Sequence, residues 1–361
     1  MAAIPRYISP YNVAIPQATG QVIQYIRNVD EFRQNKYVQL IESPGVTGVY
    51  WVIDQDTPPR VVEDATFAWK DGADRPTGQW NQLSFATQGF QCQRRAIPWQ
   101  LGEQAIEMAK DFWDVMATET ASSSQQAMTL RTYRLMTLAQ NAAVWGNNTA
   151  DAGTLNGQGA GGTWDKASSD SADTAHYNSI KKSLLAALTY IVLQTNAAIK
   201  VDNLRLIVSP ELAELMANSS EISEYVKYGP YSKGNLEGSD EKFIERWGLP
   251  PRLYGLEVVV EDCVRVTDRP IAGKGTQGLQ TTNRVYVKNI NTAIIASRPG
   301  GLDGAPGSKS FSTFQIYWYQ NLMNVEAFWS AEHRRVNGSV VEQFVEVLAA
   351  TAAGFLISNV V

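Results

Sequence analysis

The sequence is poor in the residue types that carry most metal and redox chemistry. Its 361 residues include only two cysteines, Cys92 and Cys263, and two histidines, His176 and His333. The cysteines allow at most one disulfide, which excludes a disulfide-rich scaffold, and we expect both to be small buried apolar residues. Neither histidine has a second ligand at metal-site spacing, and we expect His176 to be solvated and His333 to lie on a strand or turn. No catalytic motif is present, so we predict no enzymatic activity, no metal and no cofactor.

Long apolar runs and an excess of positive charge are also missing. The longest nearly apolar stretch, from Val347 to Ile357, is too short to cross a bilayer, so no membrane insertion is expected. The 31 Lys+Arg are outnumbered by 36 Asp+Glu, giving a net charge of −5. A dedicated nucleic-acid binder needs clustered basic residues, so that class is not expected. The N-terminus has no basic and apolar secretion signal, and we expect the protein to stay in the compartment where it is made.

What the sequence does contain begins with two segments that have little hydrophobic core of their own. Residues 1–45 carry four prolines, which favour an extended arm, with a short helix near residues 19–34 as the alternative. Residues 46–97 are rich in β-formers around a turn at Asp71 and Gly72, which predicts a long two-stranded ribbon with its tip there. A lone ribbon is marginal in water, so we expect these segments to lie on a neighbouring molecule or domain.

A long helix is predicted next. Residues 103–145 contain no proline or glycine, and apolar residues in their second half recur every three to five positions. One helix could run from Phe112 to Trp145. Alternatively, Ser122, Ser123 and Ser124 could break it, because serine side chains compete for backbone hydrogen bonds.

A mixed α/β region follows. Residues 146–173 are rich in Gly, Ser, Asn and Asp and predict a surface loop. Ser209 and Pro210 have the residue types of a helix cap and a first helical turn. The other predicted elements are a helix from Ile180 to near Asn196, strands Leu204–Val208, Leu256–Val260 and Arg284–Val287, and helices Glu221–Tyr228 and Asp240–Trp247.

The last part of the chain predicts strands again. They cover residues 314–319, Val325–Trp329 and Val340–Leu348, with Asn337 and Gly338 as the turn between the last two.

Two local patterns invite a catalytic interpretation. Gly273, Gly275 and Gly278 match a dinucleotide-binding fingerprint, but that motif must follow a strand and open a helix. Here Pro270 precedes the glycines and a strand-like stretch follows, so we interpret the segment as a connection between strands. Glu261 and Asp262 are adjacent in a presumed strand and would point to opposite faces, which keeps them from converging on one substrate atom.

The order of these elements resembles the major capsid protein of tailed double-stranded DNA bacteriophages, the Hong Kong 97 fold. The resemblance is carried by Leu204–Leu215, Glu221–Tyr228, Glu245–Leu249 and Gly255–Val260, and it extends over nearly the whole chain. It implies an α+β fold with an N-terminal arm, an extended β-hairpin loop, a peripheral domain with a long spine helix, and an α/β axial domain. The implied boundaries are 1–45 for the arm, 46–97 for the extended loop, 98–150 and 312–349 for the peripheral domain, 151–311 for the axial domain, and 350–361 for a final strand returning to the axial domain.

In this family the extended loop lies on the neighbouring subunit. The resemblance therefore implies self-assembly into hexamers and pentamers of an icosahedral head that encloses phage DNA. The expected interface residues are Lys70, Asp71, Asp74 and Arg75 at the hairpin tip and Arg334 and Arg335 in the peripheral strands. The expected partners are other copies of the chain, a separate scaffolding protein, a portal, a decoration protein, and packaged DNA through weak non-specific contact. The expected location is the virion, after assembly in the host bacterial cytoplasm.

Three other functions fit parts of the pattern. An encapsulin-type shell would share the fold, but the proline-bearing arm differs from a cargo-binding helix. A minor virion protein would normally be smaller or more uniformly β. A nucleotide-binding enzyme would need Gly273, Gly275 and Gly278 to hold a ligand.

Overall fold

The computed structural model describes residues 26–53, 71, 85–109, 114–159, 162–174, 176–195, 197–228, 246–267, 284–299 and 312–361. Over these residues the chain combines helices with two large sheets. The helices are α1 Glu103–Ala109, α2 Val115–Ala139, α3 Ala142–Trp145, α4 Ala152–Asn156, α5 Ser179–Gln194, α6 Pro210–Asn218 and α7 Ser220–Tyr228, with short 3-10 turns at Val29–Glu31, Arg33–Lys36, Val201–Asn203 and Thr351–Ala353.

A five-stranded sheet is organised around its longest strand. It contains β1 Val38–Glu42, β4 Gln93–Gly102, β12 Phe314–Trp318, β13 Asn324–Ser330 and β14 Arg335–Leu348. β14 pairs antiparallel with β4 along one edge and with β12 and β13 along the other, and β1 pairs parallel to β12. Helix α2 covers the face that carries Phe344 and Leu348, whose side chains join Met128 and Leu135 of the helix in one core.

The predicted turn at Asn337 and Gly338 is wrong. Both residues lie inside β14, and the chain reverses at residues 331–334 instead. Gly338 pairs with Trp99 of β4, and a Cβ at this glycine would lie 2.0 Å from the Trp99 ring. The glycine is required there because the indole lies against the backbone, not because the chain turns.

A six-stranded sheet forms the second layer. Its strands are β5 Thr149–Asp151, β6 Leu204–Val208, β7 Arg252–Leu253, β8 Leu256–Val260, β11 Thr292–Ser297 and β15 Phe355–Ser358, in the order β5-β15-β11-β6-β8-β7. One face, with Leu206 and Ile295, packs on helices α4 to α7, while the other, with Ile207 and Ile294, packs toward α2 and the five-stranded sheet. Burial of both faces explains why the central strands are continuous apolar runs.

Two ribbons complete the described structure. β2 Thr47–Ile53 pairs antiparallel with β3 Phe85–Gln91, which confirms the base of the predicted hairpin, and its outermost described pair is Ile53 with Phe85. β9 Val264–Val266 pairs antiparallel with β10 Arg284–Tyr286. The glycine fingerprint at 273–278 and most of the predicted helix Asp240–Trp247 lie outside the described residues.

The long helix is present, but it ends earlier than predicted and does not break at the serines. It begins at the cap Asp114, whose Oδ1 accepts a hydrogen bond from Ala117 N at 3.0 Å. Ser124 stays helical, and its hydroxyl donates to the Thr120 carbonyl at 2.8 Å. After Ala139 the chain restarts at Asn141, which caps α3, and Trp145 of α3 is buried and donates to the Ala139 carbonyl at 2.7 Å.

The prediction of a surface loop at residues 146–173 is also wrong. This segment contains β5, which pairs parallel to β15, and α4, which packs on α5. Trp164 is fully buried, and its backbone N–H donates to the Val360 carbonyl at 2.6 Å. Small polar residues are common here because the chain turns often between short elements, yet one large side chain anchors the segment in the core.

The described part of the predicted arm packs on the hydrophobic core of its own chain. Phe32, Tyr37 and Val38 are buried against α2 and the two sheets, and β1 joins the five-stranded sheet. The expectation that residues 1–45 lack such a core therefore fails from Phe32 onward. Residues 29–31 and 33–36 form 3-10 turns, so the alternative of a short α-helix is not found in this described part.

Several local predictions are confirmed. Ser209 caps α6, with its hydroxyl accepting from Leu212 N at 3.1 Å, and Pro210 opens the first turn. The strands Leu204–Val208 and Leu256–Val260 and the helix beginning near Glu221 are where the sequence places them. Cys92 and Cys263 are both buried free thiols.

Candidate subunit interface

The predicted interface residues fall into two groups. Asp71 is exposed, whereas Lys70, Asp74 and Arg75 lie outside the described residues. Arg334 is exposed in the turn between β13 and β14, with a positive φ of 45°, and its carbonyl accepts from Glu103 N at 3.0 Å. Arg335 is half-buried at the start of β14, and its Nε has no partner among the described residues. These two arginines share one end of the five-stranded sheet.

Strand β13 is an exposed apolar edge at that same end. Within the described part of the chain it pairs only with β14, so its outer backbone edge has no partner strand. Val325, Phe328 and Trp329 are 47%, 64% and 51% exposed. An unpaired strand edge with uncovered aromatic side chains is typical of a surface that meets another chain.

The base of the ribbon packs on the face of the five-stranded sheet opposite to α2. The Phe90 ring stacks on Tyr317 with ring centroids 4.3 Å apart, and Tyr50 stacks on the same ring at 6.0 Å. Val49 remains 59% exposed. The described ribbon is therefore anchored to its own sheet while still presenting apolar surface.

A charged cluster surrounds Phe344 between α2, β4 and β14. We call it the Phe344 cluster; its charged members are Arg95, Arg131, Arg134, Glu342 and Glu346. The guanidinium carbons of Arg95, Arg131 and Arg134 lie 5.4, 5.0 and 4.8 Å from the Phe344 ring centroid. Arg131 forms a buried ion pair with Glu342, and Arg134 Nε lies 2.6 Å from Glu346 Oε1. Burial raises the pKa of Glu342, although Arg131 attracts its charge.

A second polar junction joins the N-terminal segment to the end of β8. Tyr37 donates its hydroxyl proton to Glu261 Oε2 at 2.5 Å, and Arg27 Nη1 lies 2.8 Å from Asp262 Oδ1. Glu261 is fully buried, and burial raises its pKa to about 7. These acids follow β8 rather than lying in it, so the predicted strand placement is wrong. Each carboxylate has its own partner, and both are used to hold the N-terminal segment.

Other buried polar groups are engaged within the fold. Lys288 is fully buried, and its ammonium donates to the carbonyl oxygens of Asn289 and Thr292 and to the Thr292 hydroxyl. Burial lowers the pKa of Lys288 to about 7. Glu221 accepts from the backbone N–H groups of Ile180 and Lys181 and from the Tyr254 hydroxyl. These contacts tie elements together rather than forming an open reactive site.

The remaining candidate residues and segments lie as follows among the described residues. No group of three His, Cys, Asp or Glu side chains there is arranged to hold a metal ion. None of the helices described is both long and apolar enough to span a bilayer. His333 lies in the exposed turn before β14, as expected, but His176 is half-buried instead of solvated, and its Nδ1 is enclosed without a partner among the described residues.

Several solved structures have a similar overall fold. A phage-related protein from Bordetella bronchiseptica RB50 matches with a TM-score of 0.56 at 13% identity, over 91% of both chains. The capsid structure of cyanophage P-SCSP1u matches with a TM-score of 0.53 at 10% identity, over 96% of this chain and 93% of that one. The chain has a phage capsid protein fold. A structure from Mycobacterium phage Bobi agrees, with a TM-score of 0.53 at 10% identity over 97% and 98% of the two chains. Neither a protein-family model nor a curated protein matches the sequence.

The prediction of the Hong Kong 97 type of fold is confirmed, and the exposed edge of β13 and the Phe344 cluster become the candidate contact regions. Sequence reasoning missed both. A signal existed for the cluster: Arg131 and Arg134 share one face of a helix, and Glu342, Phe344 and Glu346 alternate onto one face of a strand.

Proposed function

We propose that this chain is the major capsid protein of a tailed double-stranded DNA phage, whose copies form hexamers and pentamers of an icosahedral head. The observation that carries this proposal is the likeness to the cyanophage capsid structure, which spans 96% of the chain at a TM-score of 0.53. The apolar edge of β13, which pairs on its outer side with no described strand, supports it, because such edges are typical contact surfaces between chains. The encapsulin alternative has no comparable support, and the glycine fingerprint is followed by strand β10 rather than by a described helix.

The role is structural rather than catalytic. Its buried carboxylates support this assignment, because Glu221, Glu261 and Glu342 hold backbone N–H groups, a phenol and a guanidinium of the chain itself. A buried carboxylate engaged in this way contributes to the stability of the fold.

The finer assignments complete the proposal. The arm, extended loop, peripheral and axial domains take the boundaries 1–45, 46–97, 98–150 with 312–349, and 151–311, with 350–361 returning to the axial domain. Contacts between copies use Lys70, Asp71, Asp74, Arg75, Arg334 and Arg335. A scaffolding protein, a portal, a decoration protein and weakly held DNA are the further partners, and assembly takes place in the host cytoplasm.

The test is assembly of the purified chain, alone and with a candidate scaffolding protein, followed by negative-stain imaging. The β2–β3 register allows a matched variant: replacing residues 54–84 by Asn-Gly joins the paired residues Ile53 and Phe85 through a two-residue hairpin turn. We expect closed particles from the full chain and a folded, non-assembling subunit from the shortened one. A full chain that stays monomeric under both conditions, or a shortened chain that forms the same particles, contradicts the proposal.

A further inference from the structure

Strand β14 has a neighbour on each side over residues 335–341, and its backbone groups alternate between the two. Glu103 N, just after β4, donates to the Arg334 carbonyl, and Gln343 N donates to the Asn321 carbonyl on the side of β12 and β13. Because backbone groups alternate in direction along an antiparallel strand, these two bonds assign every residue between them. Even-numbered residues of β14 bond to β4, and odd-numbered residues bond to β13.

The register then shows which backbone groups each neighbour leaves on its outer edge. The odd-numbered residues of β14 pair with the even-numbered residues of β13. The N–H and C=O groups of Val325, Ala327 and Trp329 therefore point away from β14. In β4 the odd-numbered residues bond to β14, so the even-numbered ones point outward, and Pro98 is one of them.

The two outer edges differ in their capacity to pair with another strand. Pro98 has no N–H, so a strand added to β4 would lack a donor in the middle of the ladder. The sequence of β13 contains no proline, and its one charged residue, Glu326, lies 3.7 Å from Arg94 of the same chain. Prolines and charges are common means of preventing edge strands from pairing. The edge of β4 is thus protected, whereas the edge of β13 is able to accept a strand.

The side chains of β13 match a second copy of the same strand. Residues 324–329 are all exposed, so both faces of β13 are uncovered by the described part of the chain. Val325, Ala327 and Trp329 share one face. Antiparallel pairing with the two Ala327 residues opposite each other sets each Val325 opposite Trp329 of the other copy. Each such pair exchanges two backbone hydrogen bonds, and apolar side chains that are exposed in the single chain cover one another.

A second copy fits this edge because the arrangement closes about a two-fold axis. Both copies present the same strand and the same outward groups, so the two edges are covered at once. The small side chain of Ala327 lies on the axis, where a bulky one would meet its own copy. On the other face, Glu326 of each chain is opposite Phe328 of the other, so like charges are not directly opposite.

We infer that β13 of one copy pairs antiparallel with β13 of a second copy about a two-fold axis through Ala327. This pairing joins the two five-stranded sheets into one continuous sheet. The inference rests on the proposed function, for which it supplies one contact between copies.

The first experiment removes one outward N–H from each edge. Ala327→Pro deletes the donor at the two-fold axis and leaves the bonds between β13 and β14 in place. Ala96→Pro is the matched control, because Ala96 is exposed and its N–H points outward from β4 beside Pro98. Sedimentation velocity, with and without a candidate scaffolding protein, measures the concentration at which half of the protein is associated. We expect Ala327→Pro to raise it about tenfold or more, since both hydrogen bonds at the axis are lost, and Ala96→Pro to leave it unchanged.

The second experiment tests the register by crosslinking and does not depend on a proline being tolerated. In a hydrogen-bonded antiparallel pair the two Cα atoms are about 5.5 Å apart, which a disulfide can bridge. Ala327→Cys should therefore give a disulfide-linked dimer under mild oxidation, measured on a non-reducing gel. Glu326→Cys is the control, because the Glu326 positions of the two copies are offset by two residues, beyond the reach of a disulfide. Cys92 and Cys263 are buried and should not compete.

Each outcome bears on the inference. It is overturned by unchanged association of Ala327→Pro, by equal weakening in Ala96→Pro, by the absence of a linked dimer from Ala327→Cys, or by equal crosslinking of Glu326→Cys. Shells that form equally well from Ala327→Pro support the proposed function and overturn this contact. A wild type that dimerises through this edge without forming shells supports the contact and contradicts the proposed function, whereas one that stays monomeric contradicts both.

Discussion

The hydroxyl of Tyr37 donates to the carboxylate of Glu261 across 224 positions of sequence, at 2.5 Å and with both side chains fully buried. This bond fastens the N-terminal segment to the end of β8. Asp262, beside Glu261, is held in the same way by Arg27. The segment is thus fixed by one buried and one partly exposed polar contact, as well as by the packing of Phe32.

Glu261 should make the stability of the subunit depend on pH. Its pKa is about 7 in the fold because of burial, against an ordinary value near 4.5, so the folded chain binds the proton more tightly. The stabilisation is complete below about pH 4.5 and is lost as the pH rises to 7, with a total of about 3 kcal/mol. Urea unfolding at pH 5 and pH 8 measures it. Glu261→Gln should reduce the difference in unfolding free energy between the two pH values. An undiminished difference in Glu261→Gln contradicts the assignment.

Gly338→Ala should destabilise the five-stranded sheet. The added Cβ would lie 2.0 Å from the Trp99 ring, so the indole or the strand must move. Overpacking of this kind costs about 1–3 kcal/mol. Gly102→Ala is the control, since a Cβ there meets nothing within 4 Å, and it should change stability little. Chemical denaturation measures both, and equal stabilities of the two variants would show that the Trp99 contact is not tight.

Breaking the Arg131–Glu342 ion pair should cost more than breaking an exposed one. Both side chains are 5% exposed, so Glu342→Gln leaves a buried guanidinium without its counter-charge, at a cost of about 3–5 kcal/mol. Replacing both residues together, Arg131→Met with Glu342→Leu, should recover part of the loss. Asp202→Asn, which breaks the exposed pair with Arg252, should have little effect on thermal unfolding. Equal effects of the two single variants would contradict the difference in burial.

Phe328→Glu should impair association without unfolding the subunit. Phe328 is 64% exposed on the outer strand β13, so the subunit loses little buried area, while a partner chain would have to bury a charge. The expected result is a wild-type thermal midpoint with at least about tenfold weaker association. Unchanged association would place this edge outside the contact surface.

The elements that sequence reasoning predicted correctly are those whose signals are local. Ser209 and Pro210 mark a helix start with adjacent residues, and Leu204–Val208 is an uninterrupted apolar run. The failures depend on distant partners. Gly338 suggests a turn until Trp99, far away in sequence, is seen against it. Trp164 stands in a glycine-rich stretch that predicts a loop, yet the backbone of Val360 holds it in the core.

The residues of the candidate interface also show that placements depending on distant partners are not predicted from local sequence. Arg334 was expected in the peripheral strands, but it lies in the exposed turn just before β14. The sequence gives no local signal that Arg95 belongs to the Phe344 cluster, because this placement depends on Arg134 and Phe344, which are distant in sequence.

The position of β15 between β5 and β11 sets an order of events during synthesis. This strand is interior to the six-stranded sheet, yet every other strand of the sheet precedes it in the chain. On the ribosome the sheet stays open until residues 355–358 emerge, because until then β5 has no partner strand in this sheet and β11 is paired only with β6. A chain that stops before residue 355 therefore cannot close this sheet.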